Sequence, residues 1–406
     1  MMAALDMDAV NVLVIGAGVY VCGRGMEGYG TVLPAVAECH RDGLIDRVTV
    51  AATAASSVRI LRGKLEALNE RLGTRLSVDG VPRAGTDPQA YREALSRGRF
   101  DAAIVVTPDA THFDLASHLI DAGVHCLVVK PLTPTVAEAV RLVHAAESKG
   151  VHGAVEFHKR WDEANLFLKS LVRDGRLGQL RYAAVAFSQK KMVPQTLFKS
   201  WAAQTNVFQY LGVHYADFLH FLTGALPVRA MAVGQKGWLA GRGIDTWDSI
   251  QAMVEWEEPS GNRFVSTFAL NWIDPDSTTA MSDQKISLIG SAGRCDSDQK
   301  NRGLELALDG QPVSVPNPYF SSILPGPDGA PRFGGYGYRS IRQFIEDVAT
   351  LKTGRLRPAD LAACRPTFRA ALPSTAVVEA VHHSLELQGE WVPAPRGDLE
   401  PAGRMK

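Results

Sequence analysis

The chain has 406 residues, 46% hydrophobic and 21% charged, with 43 basic against 43 acidic side chains and a formal net charge of zero. That length predicts two domains rather than one small core. The balanced charge, with no basic stripe or block of like charge, argues against a nucleic-acid partner. No apolar run is long enough to span a bilayer. Asp6 and Asp8 precede the first apolar run, which therefore does not read as a signal peptide. Five scattered cysteines without a CxxC pair fit thiols in a reducing cytosol better than a metal site or disulfide framework. A cytoplasmic protein with no membrane contact and no metal is the expectation.

Residues 1–150 alternate strand and helix, the pattern of a doubly wound parallel sheet. Strand Asn11–Ile15 ends at Gly16, a helix is expected over Thr31–Arg41, and Val48–Thr53 is a second strand. Ser57–Leu72 carries apolar residues at helical spacing and stops at Gly73. Ala102–Thr107 is a buried-type strand broken by Pro108. Helix Asp114–Ala122 leads to strand His125–Val129, and helix Thr135–Lys149 closes the unit.

Beyond Val151 the pattern changes to successive strands, which predict a mostly antiparallel, open sheet. They are Val151–Phe157, Leu180–Ser188, Val228–Val233, Ile250–Trp256, Phe264–Asn271, Lys285–Ile289 and Glu305–Leu308. Helices Glu163–Val172 and Asn206–Leu222 interrupt them. Pro316–Gly337 reads as a long loop, followed by helices Tyr338–Leu351 and Ser374–Leu387. The expected division is a dinucleotide-binding domain, 1–150, an α+β domain, 151–393, and a tail, 394–406.

Gly16-Ala17-Gly18-Val19 follows the first strand, where a tight turn lets backbone amides approach a pyrophosphate. The third glycine of the GxGxxG pattern falls at Val21, and Cys22–Gly30 inserts further glycines. The second strand closes on Thr53-Ala54-Ala55-Ser56-Ser57, without the acid that binds the ribose hydroxyls of NAD. This favours NADP while leaving the choice between NAD and NADP open.

Lys130 stands at the end of a strand, where open α/β sheets bind ligands, and Pro131 restricts its backbone. An ammonium there can hydrogen-bond a reacting oxygen and stabilise the charge that develops on it. On Phe208–His220, Tyr210 and His214 are four apart and share one helical face, with Asp217 three residues on. A histidine at that position suits proton transfer. His220 reads as a core residue. His382-His383 point to different helix faces and do not suggest a metal site.

Several blocks taken together resemble the Gfo/Idh/MocA family of sugar and polyol oxidoreductases. They are Thr107-Pro108 with His112 close behind, Ala122-Gly123-Val124-His125, Lys130-Pro131, His158-Lys159-Arg160-Trp161 and Gly212-Val213-His214. The resemblance spans about residues 10–390. It implies an N-terminal Rossmann domain, a nicotinamide cofactor and hydride exchange with a sugar, inositol or keto-sugar. Catalysis then falls to Lys130, His214 and Tyr210. The cofactor contacts are Gly16, Ala17, Gly18, Val19, Thr53, Ser56, Thr107, Pro108, His112, Lys130 and Pro131. Substrate contacts are Lys130, His158, Lys159, Tyr210, His214 and Asp217.

The resemblance also implies a homodimer or homotetramer built through the C-terminal sheet. The chain departs from the family pattern at Val129, where the family usually has glutamate, and at Tyr210, where it often has aspartate. A reductase of a non-sugar carbonyl or dihydrodiol, and an inactive cofactor-binding regulator, are the alternative readings. Gly334–Arg339, with Tyr336 and Tyr338 among glycines, reads either as a lid over the sugar or as a loop anchored by its tyrosines.

Overall fold

The computed structural model describes residues 8–395. Its chain order begins Val10–Ile15 (β1), the single turn Val19–Cys22 (α1), Val32–Arg41 (α2), Ile45–Ala51 (β2) and Ala55–Leu72 (α3). Val78–Val81 (β3), Ala90–Arg97 (α4), Ala102–Val105 (β4) and His112–Asp121 (α5) follow. His125–Val129 (β5), Val136–Lys149 (α6) and Gly153–Glu156 (β6) complete the series. The six strands form one parallel sheet in the order β3-β2-β1-β4-β5-β6. The order reverses between β1 and β4, so the ends of these two strands flank the crevice in which such sheets bind ligands. β3 and α4 were not expected from the sequence. Val-Asp-Gly-Val is too short and too polar to give a strand signal, and it pairs only along the sheet edge.

The chain continues through Glu163–Arg173 (α7), Leu180–Lys190 (β7), Val213–Thr223 (α8), Leu226–Gln235 (β8), Ser249–Glu257 (β9), Arg263–Asp274 (β10), Ser282–Gly290 (β11) and Arg294–Asp298 (β12). Next come the hairpin Ser322–Pro325 (β13) and Pro331–Gly334 (β14), then Tyr336–Lys352 (α9), Phe368–Glu386 (α10) and Val392–Pro393 (β15). The second sheet has the order β12-β11-β7-β10-β9-β8-β15, antiparallel except for the parallel pair β7–β10.

Strict alternation on β9 and β10 gives this sheet two faces. Phe187, Phe268 and Leu270 point inward, where Phe208 lies 5.2 Å from Phe268 and Tyr215 lies 6.0 Å from Phe187, ring to ring. Tyr182, Val233 and Met253 are exposed large apolar residues on the strands.

The expected strand at Glu305–Leu308 reduces to a single bridge, Leu306 to Ser314. The expected loop at Pro316–Gly337 instead contains the β13–β14 hairpin. Buried Glu38 of α2 holds this hairpin by accepting from Phe333 N at 2.7 Å and pairing with Arg332 and Arg41. That anchor is distant in sequence, so the segment's own Pro/Gly composition could not show it.

Two compact units result, one of residues 8–132, 141–161 and 318–370, the other of 133–140, 162–317 and 371–395. The segment 318–370 therefore groups with the Rossmann sheet, whereas a boundary near 150 had assigned it to the second domain. The cause is the apolar face of α9: Ile341, Phe344, Ile345 and Val348 join one core with Val12, Val14, Val36, Val48 and Leu61. Of the expected tail, Ala394 is buried beside β8, where its N–H bonds Val228 O. Residues 396–406 lie outside the described residues.

Candidate active site

In the first unit, Gly16 ends β1 with φ +118°, a conformation that favours glycine. A Cβ there would lie 2.1 Å from Val106 O, so the strand ends of β1 and β4 approach only because no side chain intervenes. Gly18 differs. Its backbone is extended, and a Cβ would meet nothing within 4 Å. The space over Gly18 is the opening through which a pyrophosphate can reach the Ala17–Val19 backbone, so the turn fits a dinucleotide.

The two glycines should respond oppositely. Gly16→Ala is expected to cost roughly 2–4 kcal/mol of stability through strain and overlap. Gly18→Ala should leave stability within about 1 kcal/mol yet weaken dinucleotide binding. Urea unfolding and a binding titration on both variants check this, and equal stability loss in both would refute it.

Thr53 and Ser56, both exposed, follow β2 at the start of α3. Thr107 and Pro108 follow β4. His112 is fully buried, with Nδ1 2.8 Å from Pro131 O and Nε2 3.0 Å from Thr107 O. This ring ties the turn after β4 to the turn after β5. It holds Thr107 and Pro131, the turn residues expected at the cofactor, in place.

Lys130 follows β5 directly and is half-buried, with a cis peptide to Pro131. Desolvation pushes its pKa down to about 8, and the carboxylates of Asp109 and Glu156 partly oppose that shift. Both are buried. Glu156 pairs directly with Val129 across β5–β6. The carboxylate missing at Val129 thus has counterparts on the neighbouring strand and in the turn after β4. Neither was singled out from the sequence. The Glu156 relation depends on strand register, and no local motif carries it.

Glu156 Oε1 accepts from Ser340 Oγ at 2.6 Å, and Oε2 lies 3.0 Å from His158 Nδ1. His158 is half-buried, its ring stacked on Tyr336 at 5.7 Å and tilted to Phe320 at 5.2 Å. The structure therefore links Lys130, Asp109, Glu156, His158 and Ser340 in one unit. Lys159, the next residue after His158, is buried at 2% exposure. The candidate lid at Gly334–Arg339 runs from the end of β14 into the first turn of α9, with Tyr336 buried. Gly335, at φ +112°, brings the backbone so close to Phe320 O that a Cβ would lie 2.4 Å from it. This packing is that of a segment anchored by Tyr336, the alternative to a lid.

In the second unit, Asn206 Oδ1 accepts from Phe208 N and Gln209 N, both at 2.9 Å, opening a π turn over Phe208–Gly212 that runs into α8. The turn's wider winding changes the expected helical relation of Tyr210 to His214. Gly212 permits it, since a Cβ would lie 2.9 Å from Leu270 Cδ1 and 3.0 Å from the Phe208 ring.

Tyr210 is half-buried among Phe198 (4.8 Å), Trp272 (5.8 Å) and Trp201 (6.0 Å). His214 and Asp217 are buried on α8. His220 Nδ1 lies 2.9 Å from Ala225 O, a local structural contact. Lys191, another strand-end lysine, sits over the Trp238 ring at 4.9 Å. Among the described residues, no group of three His, Cys, Asp or Glu side chains could hold a metal ion, and no helix is long and apolar enough to cross a membrane.

A parallel doubly wound sheet with a glycine turn after β1 and a desolvated lysine after β5 defines a Rossmann-type dinucleotide-binding protein with a second, mixed-sheet unit. Residues 10–157 match the oxidoreductase family with an NAD-binding Rossmann fold, and residues 166–296 match the GFO/IDH/MocA C-terminal domain. The chain belongs to the Gfo/Idh/MocA oxidoreductase family.

It is 35% identical over 134 residues to UDP-N-acetylglucosamine 3-dehydrogenase of Acidithiobacillus ferrooxidans, covering 33% of this chain and 39% of that protein. It is 30% identical over 138 residues to the NADP(+) scyllo-inositol 2-dehydrogenase of Bacillus subtilis, covering 34% and 38%. The matched stretch is thus well under half of each relative. In fold it resembles an inositol dehydrogenase homologue from Azotobacter vinelandii, solved with NADH and myo-inositol. The TM-score is 0.68 at 20% identity, over 95% of this chain and 98% of that one.

Proposed function

We propose that the protein exchanges a hydride between a nicotinamide cofactor and a CH–OH or C=O group of a sugar, inositol or keto-sugar. The observation that carries this reading is Lys130, a desolvated lysine at the carboxyl end of a Rossmann strand with two buried carboxylates acting on it. The bound cofactor supplies or accepts the hydride. Gly16, Ala17, Gly18 and Val19 hold its pyrophosphate, Thr53 and Ser56 its ribose, and Thr107, Pro108 and Pro131 lie on its nicotinamide side, with NADP preferred over NAD.

Lys130 donates a hydrogen bond to the reacting oxygen and stabilises negative charge there as the carbonyl is reduced. His158, held by Glu156, orients substrate hydroxyls in the same unit. In the second unit, His214 delivers or removes the hydroxyl proton, with Tyr210 and Asp217 as its partners. Copies of the chain associate as a dimer or tetramer through the second sheet, whose exposed Tyr182, Val233 and Met253 leave apolar area for a partner.

The test is turnover of NADP⁺ and NAD⁺ with a panel of inositols, aldoses and keto-sugars. Wild type is expected to turn over at least one of them, and His214→Ala to lose about 10²–10⁴-fold in rate. Binding of cofactor without turnover across the panel would instead support an inactive regulator. Turnover of dihydrodiols or simple ketones alone would support the non-sugar reductase.

A further inference from the structure

The stretch Cys22–Gly30 separates the one-turn α1 from α2 and folds back on itself through glycines. A Cβ on Gly23 would lie 2.5 Å from Gly28 O, and one on Gly30 2.7 Å from Val21 C. Lys64 of α3 pins the stretch by donating from Nζ to the carbonyls of Met26 at 2.9 Å and Gly28 at 2.8 Å. The result is a specific placement of Arg24. Its Nη1 donates to Ser57 Oγ at 2.9 Å, although 33 residues separate them in sequence.

Ser57 stands in the first turn of α3, just past the end of β2. In a Rossmann unit that strand end meets the ribose on the adenine side, where an Asp or Glu accepts its hydroxyls and an arginine nearby accommodates a 2′-phosphate. Here Thr53–Arg59 contains no carboxylate. Thr53 and Ser56 present exposed hydroxyls, and Arg59 is exposed three residues after Ser56, on the same helical side. The only carboxylate of the glycine stretch, Glu27, is exposed and has no ion pair among the described residues. Arg24, Arg59 and Lys64 thus place three cations near this strand end, alongside the carboxylates of Glu27 and of Asp87, whose backbone N–H bonds Thr53 O.

We infer that Arg24, carried by the glycine stretch and held by buried Ser57, selects NADP(H) over NAD(H) by binding the 2′-phosphate, with the exposed Ser56 hydroxyl as a neighbouring donor. This rests on the nicotinamide reading above and assigns its cofactor choice to one residue. A guanidinium offers a fork of N–H donors that matches phosphate oxygens and stays charged at any working pH. The bond to Ser57 and the Lys64 tether hold that fork near the ribose before cofactor arrives, which lowers the ordering cost of binding. An unphosphorylated ribose draws little from the same fork.

The test is calorimetric titration of the full chain with NADPH, NADH and 2′,5′-ADP, with no turnover required. Wild type is expected to bind NADPH at least about tenfold more tightly than NADH and to bind 2′,5′-ADP, with the preference shrinking at high salt. Arg24→Ala should weaken NADPH and 2′,5′-ADP about tenfold or more and leave NADH within about twofold, with Arg24→Lys recovering part of the loss. Ser56→Asp, which restores an acid at the ribose, should reverse the preference.

Tighter binding of NADH than of NADPH by wild type overturns the inference alone, because the nicotinamide reading then still stands. So does equal weakening of both cofactors by Arg24→Ala, which would make the residue a strut for the glycine stretch. Failure to bind either cofactor removes the nicotinamide reading and this inference together.

Discussion

Lys130→Ala is expected to lower hydride transfer by roughly 10²–10³-fold or more while leaving cofactor affinity within about threefold. The reason is positional. Lys130 lies one residue past β5, its ammonium is desolvated, and the adjoining turn is fixed by His112 bridging Pro131 O and Thr107 O. Removing the side chain leaves that bridge in place, because His112 holds backbone oxygens. Cofactor binding should survive, and only the stabilisation of charge on the reacting oxygen is lost.

The pH dependence has a definite sign. The lysine pKa is pushed down to about 8, so the charged donor disappears as pH rises through that value. Carbonyl reduction at saturating cofactor should therefore fall above about pH 8. Glu156 acts to raise that pKa, so Glu156→Gln should move the falling limb to lower pH. Stopped-flow cofactor fluorescence across pH 6–10 reads both effects. A Lys130→Ala variant that keeps near-wild-type transfer would remove the lysine from the chemistry.

The parts of this site that were legible in the sequence are those that one strand end carries by itself. Gly16–Gly18, Thr107–Pro108 and Lys130–Pro131 each join a short apolar strand to its own turn residues. Their placement at the carboxyl ends of β1, β4 and β5 followed from the alternation of strand and helix. What the sequence did not show depends on register or on long loops. Glu156 faces Val129 only because β5 and β6 pair in one register, and Ser340 reaches Glu156 from 184 residues away.

The same holds for the segment 318–370. Its amphipathic helix was visible in outline, but the choice of core for it was not. That choice rests on Ile341, Phe344 and Ile345 meeting α2 and the first sheet, and on buried Glu38 capturing the Phe333 amide. A straight helical face through Tyr210 and His214 was also expected, and the π turn over Phe208–Gly212 altered it. Asn206 opens that turn, and the lack of a side chain at Gly212 lets it wind close to Leu270.

The second large effect concerns stability in acid, and it follows from a histidine outside the chemistry. His152 is buried just before β6, its ring stacked on Phe344 at 5.8 Å, and its backbone N–H donates to His125 Nδ1 at 2.8 Å. Burial, with His125 and then Arg365 adding to it, pushes the His152 pKa down to about 3, and burial lowers that of His125 as well. In the unfolded chain an imidazole titrates near 6.5. Between that value and about 3, the unfolded state binds a proton that the folded state refuses, so folding stability falls as pH falls.

For His152 alone the loss between pH 6.5 and pH 5 is roughly 1.5–2 kcal/mol, and His125 adds to it with the same sign. Above about pH 7.5 the slope from both fades out. Urea midpoints taken from pH 7.5 to pH 5 should therefore drop steeply below pH 6.5 in the wild type. His152→Leu, which keeps apolar contact with Phe344 and cannot titrate, should lose at least half of that slope whatever its stability at pH 7.5. An unchanged slope in the variant would show that His152 takes up its proton in the folded state and that the acid sensitivity arises elsewhere.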